Sequence, residues 1–333
     1  MEINSLKIEI RKLKYMKILI TGGAGFIGSN VTKKLLERGD SVVCVDEFND
    51  YYSPKIKERN VAQFAENPNY TLYRGTITDY EFLKGIFEKE NIQRVIHAAA
   101  RAGVRPSIED PFIYEDTNVK GTLNLLHLAK EFAVENFVLF SSSSVYGNSP
   151  KVPFCETDPV DNPISPYAAT KKATELLGYT YHHLYGLNVN VVRPFTVYGP
   201  GGRPDMAPFL FTKWIDEGTE LKRFGDGSTR RDYTFIDDLA NGVLLAVDKA
   251  LGYEIFNLGN SDTVDLNTFI ATIEKILGKK ANIKQYPAQP GDVPITFADL
   301  SKSRELLGYS PKVKIEEGMA IFIDWYLENK QLY

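Results

Sequence analysis

The sequence predicts an α/β fold, a doubly wound parallel sheet with a smaller, loop-rich α/β substrate-binding region after it. Three features predict it. Short apolar, β-branched runs alternate with longer helix-period segments up to about residue 195, the pattern of a parallel sheet covered by helices. A glycine-rich turn, Thr21-Gly22-Gly23-Ala24-Gly25-Phe26-Ile27-Gly28, joins the first apolar run to the first helical one. Beyond residue 195 glycine and proline crowd together (Pro194, Gly199, Pro200, Gly201, Gly202, Pro204, Pro208) and the alternation becomes irregular.

Taken in order, residues 1–15 carry Lys and Arg without an apolar core or small-residue cleavage site, so they do not read as a secretory signal. A second methionine, Met16, opens the first strong strand, and 1–15 is expected to be a dispensable N-terminal extension. Strands are expected at 17–21, 41–46, 70–74, 93–97, 137–141 and 188–193, with helices at 26–38, 79–89, 115–134 and 166–185. Sheets of this type bind ligands beyond the carboxyl ends of their strands. Residues 16–195 therefore form the expected nucleotide-binding domain and 196–333 the substrate-binding region, with part of 235–262 returning to the first. No Ser/Gly linker separates them, which implies close packing around a shared cleft.

Composition bounds the partners. The 333 residues are 43% hydrophobic and 25% charged, with a net charge of −4, an ordinary globular balance that argues against nucleic acid or a membrane surface as the main partner. No apolar run is long enough to span a bilayer. Cys44 and Cys155 form neither a disulfide framework nor a metal cluster, consistent with a reducing cytoplasm. The four histidines (97, 127, 182, 183) lack metal-ligand spacing, so no metal is expected, and His97 reads as structural.

A bare G-x-G-x-x-G match is weak, but here a strand precedes it and a helix follows. Glycines let the backbone approach a pyrophosphate, which then sits at the positive end of the helix. Asp46 closes the second strand, where a carboxylate accepts from a ribose diol and repels a 2′-phosphate. The unit reads as a Rossmann domain that takes NAD in preference to NADP.

Strand 137–141 ends in Ser141-Ser142-Ser143-Ser144-Val145-Tyr146-Gly147, and Tyr167-Ala168-Ala169-Thr170-Lys171 opens a helix soon after. Residues i and i+4 share a helix face, so the Lys171 ammonium is expected near the Tyr167 hydroxyl. A free tyrosine titrates near pH 10, and a neighbouring ammonium together with an oxidised nicotinamide would draw it down toward use as a base. Ser142 would orient the same substrate oxygen. Tyr-x-x-x-Lys alone is a commonplace surface pair; joined to a nucleotide loop and a serine-ended strand, it reads as catalytic.

With these motifs, the HAAA segment at 97–100, RPFTVYGPGGRPDM at 193–206 and RRDYTFIDDL at 230–239, the chain resembles an extended short-chain dehydrogenase/reductase over 16 to about 328. Specifically, it resembles a nucleotide-sugar epimerase. The resemblance implies tightly bound NAD held by Gly22, Gly25, Phe26, Ile27, Gly28, Asp46, Asn49, Thr76, Ile77, Ala98, Ala99, Ala100, Asn118, Ser141, Tyr167, Lys171 and Pro194. Relatives that dehydrate nucleotide sugars carry Asp-Glu before the Val-Tyr-Gly, and those that decarboxylate UDP-glucuronate carry Glu there. Ser143 and Ser144 occupy these positions here, leaving the minimal set for redox chemistry at C4.

Segments 46–52 (DEFNDYY) and 102–111 (AGVRPSIEDP) resemble UDP-glucuronate 4-epimerases most closely. UDP-glucuronate is thus the expected substrate, ahead of UDP-glucose/galactose or a UDP-N-acetylhexosamine. Ser142, Ser143, Ser144 and Thr196 would cradle the sugar carboxylate; Arg203, Arg230 and Arg231 would neutralise the diphosphate, with Arg231 singled out by the resemblance, Asp292 would meet the uridine ribose, and Arg105 and Gln289 complete the expected substrate-binding set. Arg101 departs from the glucuronate pattern, where Gln is usual. Relatives form homodimers through helices matching 115–134 and 166–185. A non-catalytic NAD/UDP-sugar sensor is the alternative of a different class, but such proteins usually lose the Tyr or the Lys. Asp237-Asp238 reads as a helix cap rather than a catalytic pair.

Overall fold

The computed structural model describes residues 15–287 and 293–332. The strands are β1 (Lys17–Thr21), β2 (Ser41–Asp46), β3 (Tyr70–Arg74), β4 (Arg94–His97), β5 (Asn136–Phe140), β6 (Val189–Pro194), β7 (Thr196–Tyr198), β8 (Glu220–Phe224), β9 (Arg230–Phe235), β10 (Tyr253–Leu258), β11 (Thr263–Asp265) and β12 (Asn282–Tyr286). Seven of them form one parallel sheet in the order β10-β6-β5-β4-β1-β2-β3. The order reverses between β1 and β4, which opens a crevice at the carboxyl end of β1. Helices cover both faces, so Ile18, Leu19, Ile20, Val42, Val43 and Val95 are almost fully buried.

Helix α1 (Phe26–Arg38) starts at Gly25 and stops at Gly39, whose φ of 98° is the left-handed conformation that glycine tolerates. Helix α2 (Gly121–Glu131) is preceded by a π-helical turn, Glu115–Lys120, so the single helix expected over 115–134 is wound in two ways and ends earlier. Helix α3 (Pro166–Tyr185) matches its sequence bounds because Ser165 accepts from Ala168 N (3.1 Å), Pro166 sits in the first turn, and Gly186 ends it.

After β6 the chain builds two small sheets, β11-β9-β7 and β12-β8. Residues 236–258 instead form helix α4 (Ile236–Asp248), packed on α1, and β10, which extends the main sheet beside β6. One apolar cluster runs from Val31, Ile96 and Phe140 through Phe209, Phe269 and Phe322, so the small sheets share a core with the main one. Asp237 and Asp238 stand in the first turn of α4, but no side chain caps it. Asp238 Oδ2 accepts from the amides of Lys312 and Val313 (both 2.9 Å), and Asp237 faces Lys34 at 3.5 Å. The cap expected there is a tie to a distant loop, because the backbone it meets lies outside the helix. His97 is a buried bridge between Thr21 Oγ1 (2.7 Å) and Thr122 Oγ1 (2.9 Å). Among the described residues no helix is long and apolar enough to cross a membrane, and no cluster of His, Cys, Asp or Glu could hold a metal ion.

Candidate active site

The glycine turn lies at the crevice. Gly22, at φ 72°, donates to Val45 O (2.8 Å), and a Cβ on it would meet Ala99 N at 2.8 Å. A Cβ on Gly28 would lie 2.1 Å from Gly22 O, so both positions exclude any side chain. Phe26 is buried in the core and Ile27 packs against it, leaving the backbone of the first turn of α1, which no side chain caps, to face an anion. Asp46 is 7% exposed and accepts from Ala24 N (3.1 Å) and Phe48 N (2.9 Å); burial pushes its carboxyl above the usual range. Gly75 N donates to Asp46 O, which brings Thr76 and Ile77 beside it, although the Ile77 side chain is itself core. Ala98, Ala99 and Ala100 form the facing wall beyond β4. Asn118 bridges Arg101, through both N (2.8 Å) and O (3.1 Å), to Thr170 Oγ1 (3.0 Å). Glycines without room for a Cβ, an uncapped helix start and a ribose-type carboxylate together fit a dinucleotide.

Tyr167 and Ser142 meet: burial raises the Tyr167 phenol, while a hydrogen bond with the Ser142 hydroxyl and the Arg203 guanidinium oppose that rise. Lys171 behaves differently from expectation. Its buried amine donates to Phe140 O (2.8 Å), and burial lowers it to about 8. The carbonyl at the end of β5 fixes the lysine, and no hydrogen bond joins Lys171 to the Tyr167 phenol. Ser141, expected at the cofactor, spends its hydroxyl on Glu175 Oε1 (2.6 Å). Glu175 also takes Arg193 in a two-point ion pair (both 2.8 Å), each side chain being 1% exposed, and Arg193 reaches Tyr146 OH (3.0 Å). This network, which sequence reading missed, locks the serine-bearing end of β5 to α3 and to β6, where Pro194 follows Arg193.

A cavity of about 200 Å³ opens at Ser165, two residues before Tyr167, and is lined also by Ser143, Ser144, Thr196, Arg105, Arg231 and Thr296, with apolar Val104, Ile108, Phe154, Ile164 and Val293; Ser142 and Tyr167 are not part of its lining. Five residues expected at the substrate thus come together. Arg203 does not join them: its Nε pairs with Asp205 Oδ1 (3.0 Å) and its NH2 bonds Tyr51 OH (3.3 Å). Arg230 is spent on Thr263 Oγ1 (2.8 Å), away from the cavity. Gln289 and Asp292 lie outside the described residues. Asp232 on β9, fully buried, accepts from the amides of Asn260, Ser261 and Ala298. Alternation along β9 then leaves Arg231 to the cavity. Tyr51 and Glu175 find these partners far along the chain, which local spacing does not show, whereas Asp205 pairs with Arg203 only two residues away.

A Rossmann sheet with this crevice, a Tyr–Ser pair and a hydroxyl-lined cavity defines a nucleotide-sugar-modifying short-chain dehydrogenase/reductase. The chain belongs to the family of GDP-mannose 4,6 dehydratase, whose model matches residues 19–322. It is 50% identical over 316 residues to the UDP-glucuronate 4-epimerase of Thermodesulfobacterium geofontis, covering 94% of this chain and 97% of that protein. The Bacillus cereus UDP-glucuronic acid 4-epimerase, solved with UDP-glucuronic acid and NAD, is 35% identical with a TM-score of 0.89, over 96% of this chain and 100% of that one. A Thermotoga maritima UDP-glucose 4-epimerase, solved with UDP-glucose, is also 35% identical, with a TM-score of 0.87 over 96% and 100%.

Proposed function

We propose that the protein is an NAD-dependent 4-epimerase of UDP-sugars that interconverts UDP-glucuronate and UDP-galacturonate through a 4-keto sugar. The observation that carries this reading is the cavity at Ser143, Ser144 and Ser165, which border Ser142 and Tyr167 in the chain. Its lining offers hydroxyls and two arginines, and no carboxylate among the described residues that could serve an elimination. Bound NAD supplies hydride transfer to and from C4. The Tyr167 oxygen would hold the 4-hydroxyl proton and Ser142 would donate to or accept from the same sugar oxygen, orienting C4. Ser143, Ser144 and Thr196 hold the sugar carboxylate by neutral hydrogen bonds, while Arg231 and Arg105 take the diphosphate. The cycle is redox-neutral, so no NADH leaves the protein.

Two further parts of the reading rest on the surface and on the cysteines. Leu123 on α2 and Leu176, Tyr179, Leu184 and Tyr185 on α3 are exposed apolar side chains, which favours a homodimer through these helices. Cys44 and Cys155 are both free thiols, which suits a reducing cytoplasm. The test is a panel of UDP-glucuronate, UDP-glucose and UDP-N-acetylglucosamine with products resolved by NMR. UDP-galacturonate formed fastest supports the proposal; preferential turnover of UDP-glucose moves the substrate to the neutral sugar, and no product from any of them makes the protein a sensor.

A further inference from the structure

Arg101 stands just past the Ala98–Ala100 wall, and its backbone is clamped on both sides by the Asn118 amide. Its guanidinium reaches Glu47 Oε1 at 3.4 Å, with side-chain exposures of 16% and 29%. Glu47 follows β2 and Arg101 follows β4, and β1 lies between those strands. Neighbouring strands are about 4.8 Å apart, so the pair bridges roughly 10 Å. It must therefore pass over the carboxyl end of β1, where Gly22 and the start of α1 form the dinucleotide cradle. The loop that carries Glu47 is also pinned from its own side by Lys57 Nζ, which donates to Asn49 O (3.0 Å) and Oδ1 (2.8 Å).

One atom of this arrangement is unsatisfied. Arg101 Nε is buried and has no hydrogen-bond partner. A buried guanidinium N–H left unpaired is costly, and such groups normally mark an acceptor that fills the site. Over a cradle shaped for a pyrophosphate, the fitting acceptor is a phosphate oxygen, for which arginine geometry is suited.

We infer that Arg101 is a further dinucleotide-binding residue, held across the crevice by Glu47 and donating its free Nε–H to the pyrophosphate. The inference rests on the reading that NAD lies in the Gly22–Gly28 crevice. Glu47 and Arg101 together act as a latch: the ion pair must part, or swing aside, before the nucleotide leaves. Because the latch is electrostatic and partly exposed, its hold weakens with salt.

The test uses the purified holoprotein, with bound NAD released into excess scavenging enzyme and the release rate read directly. Arg101→Gln is expected to speed release about tenfold to a hundredfold, the worth of one charge-assisted hydrogen bond. Glu47→Gln is expected to give a smaller increase in the same direction. Wild-type release should quicken with added salt, and Arg101→Gln release should respond less. UDP binding should stay unchanged in both variants. Wild-type release from Arg101→Gln would overturn the inference. Should that variant fail to fold by circular dichroism, Arg101→Lys, which keeps the charge but lacks Nε, must also release faster, and a wild-type rate there overturns it equally. Asp46→Asn separates this from the crevice reading: faster release from Asp46→Asn with no change in Arg101→Gln rejects the latch alone, and no change in either rejects the crevice.

Discussion

Replacing Glu175 with Gln removes a charge from the best-buried ion pair in the molecule's catalytic framework while keeping the side chain's shape. The Glu175 carboxylate accepts from Arg193 Nε and NH2 (both 2.8 Å) and from Ser141 Oγ (2.6 Å), and both charged side chains are 1% exposed. With the anion gone, the guanidinium stays desolvated and uncompensated, a loss of about 3–5 kcal/mol. For a domain of this size that is roughly a 10 °C fall in melting temperature. Because Ser141 precedes Ser142, turnover should fall as well, with KM for the UDP-sugar less affected. Replacing both partners, Glu175→Leu with Arg193→Met, should recover part of the stability, since the guanidinium is then no longer buried without its anion, while Lys171 and Lys172 still lose the Glu175 charge. Urea unfolding followed by tryptophan fluorescence reads both. A Glu175→Gln protein within about 1 kcal/mol of wild type, or a double variant no better than the single one, would refute the reasoning.

Other consequences are independent of that network. Tyr167→Phe should cut kcat by about 10²–10⁴ while leaving NAD content and UDP-sugar binding intact, as measured by turnover against calorimetry. Burial lowers the Lys171 amine to about 8 from 10.5, so the unfolded chain holds the extra proton between those values and stability rises with pH across that window. Lys171→Met should therefore be the more stable protein at pH 7, by up to about 3 kcal/mol before loss of the Phe140 hydrogen bond, and the difference should shrink from pH 8 to pH 10. A difference that grows with pH would contradict the assignment. Arg231→Met should raise KM for the UDP-sugar about tenfold or more with little change in kcat, as expected for a residue that grips the diphosphate equally in ground and transition states.

The central sheet was readable from residue pattern because its strands are buried on both faces, which makes runs such as Ile18-Leu19-Ile20 and Val42-Val43-Cys44-Val45 continuous. Helix ends at Gly25 and Gly39, and at Ser165 and Gly186, were readable because caps are local chemistry. Asp46 and the glycine turn were readable for the same reason: their spacing is a property of one strand–turn–helix unit. Long-range pairing was not. Lys171 was expected at Tyr167, one helical turn away, but the Phe140 carbonyl holds it. Arg203 was expected on the diphosphate but is paired with Asp205 and Tyr51, and Asp238 binds the amides at 312–313 rather than its own helix. Apart from Asp205, which lies two residues from Arg203, these partners are set by which loops the fold brings together, and no local periodicity carries that information. The return of 236–258 to the main sheet shows how a late segment can complete an early core.

The claim that hydride leaves and returns to the same carbon on one protein is tested most directly with UDP-glucuronate deuterated at C4. The account predicts UDP-galacturonate that retains the deuterium at C4, with no exchange into solvent and no net NADH absorbance over many turnovers. Loss of the label to water, or NADH accumulating in step with product, would contradict it.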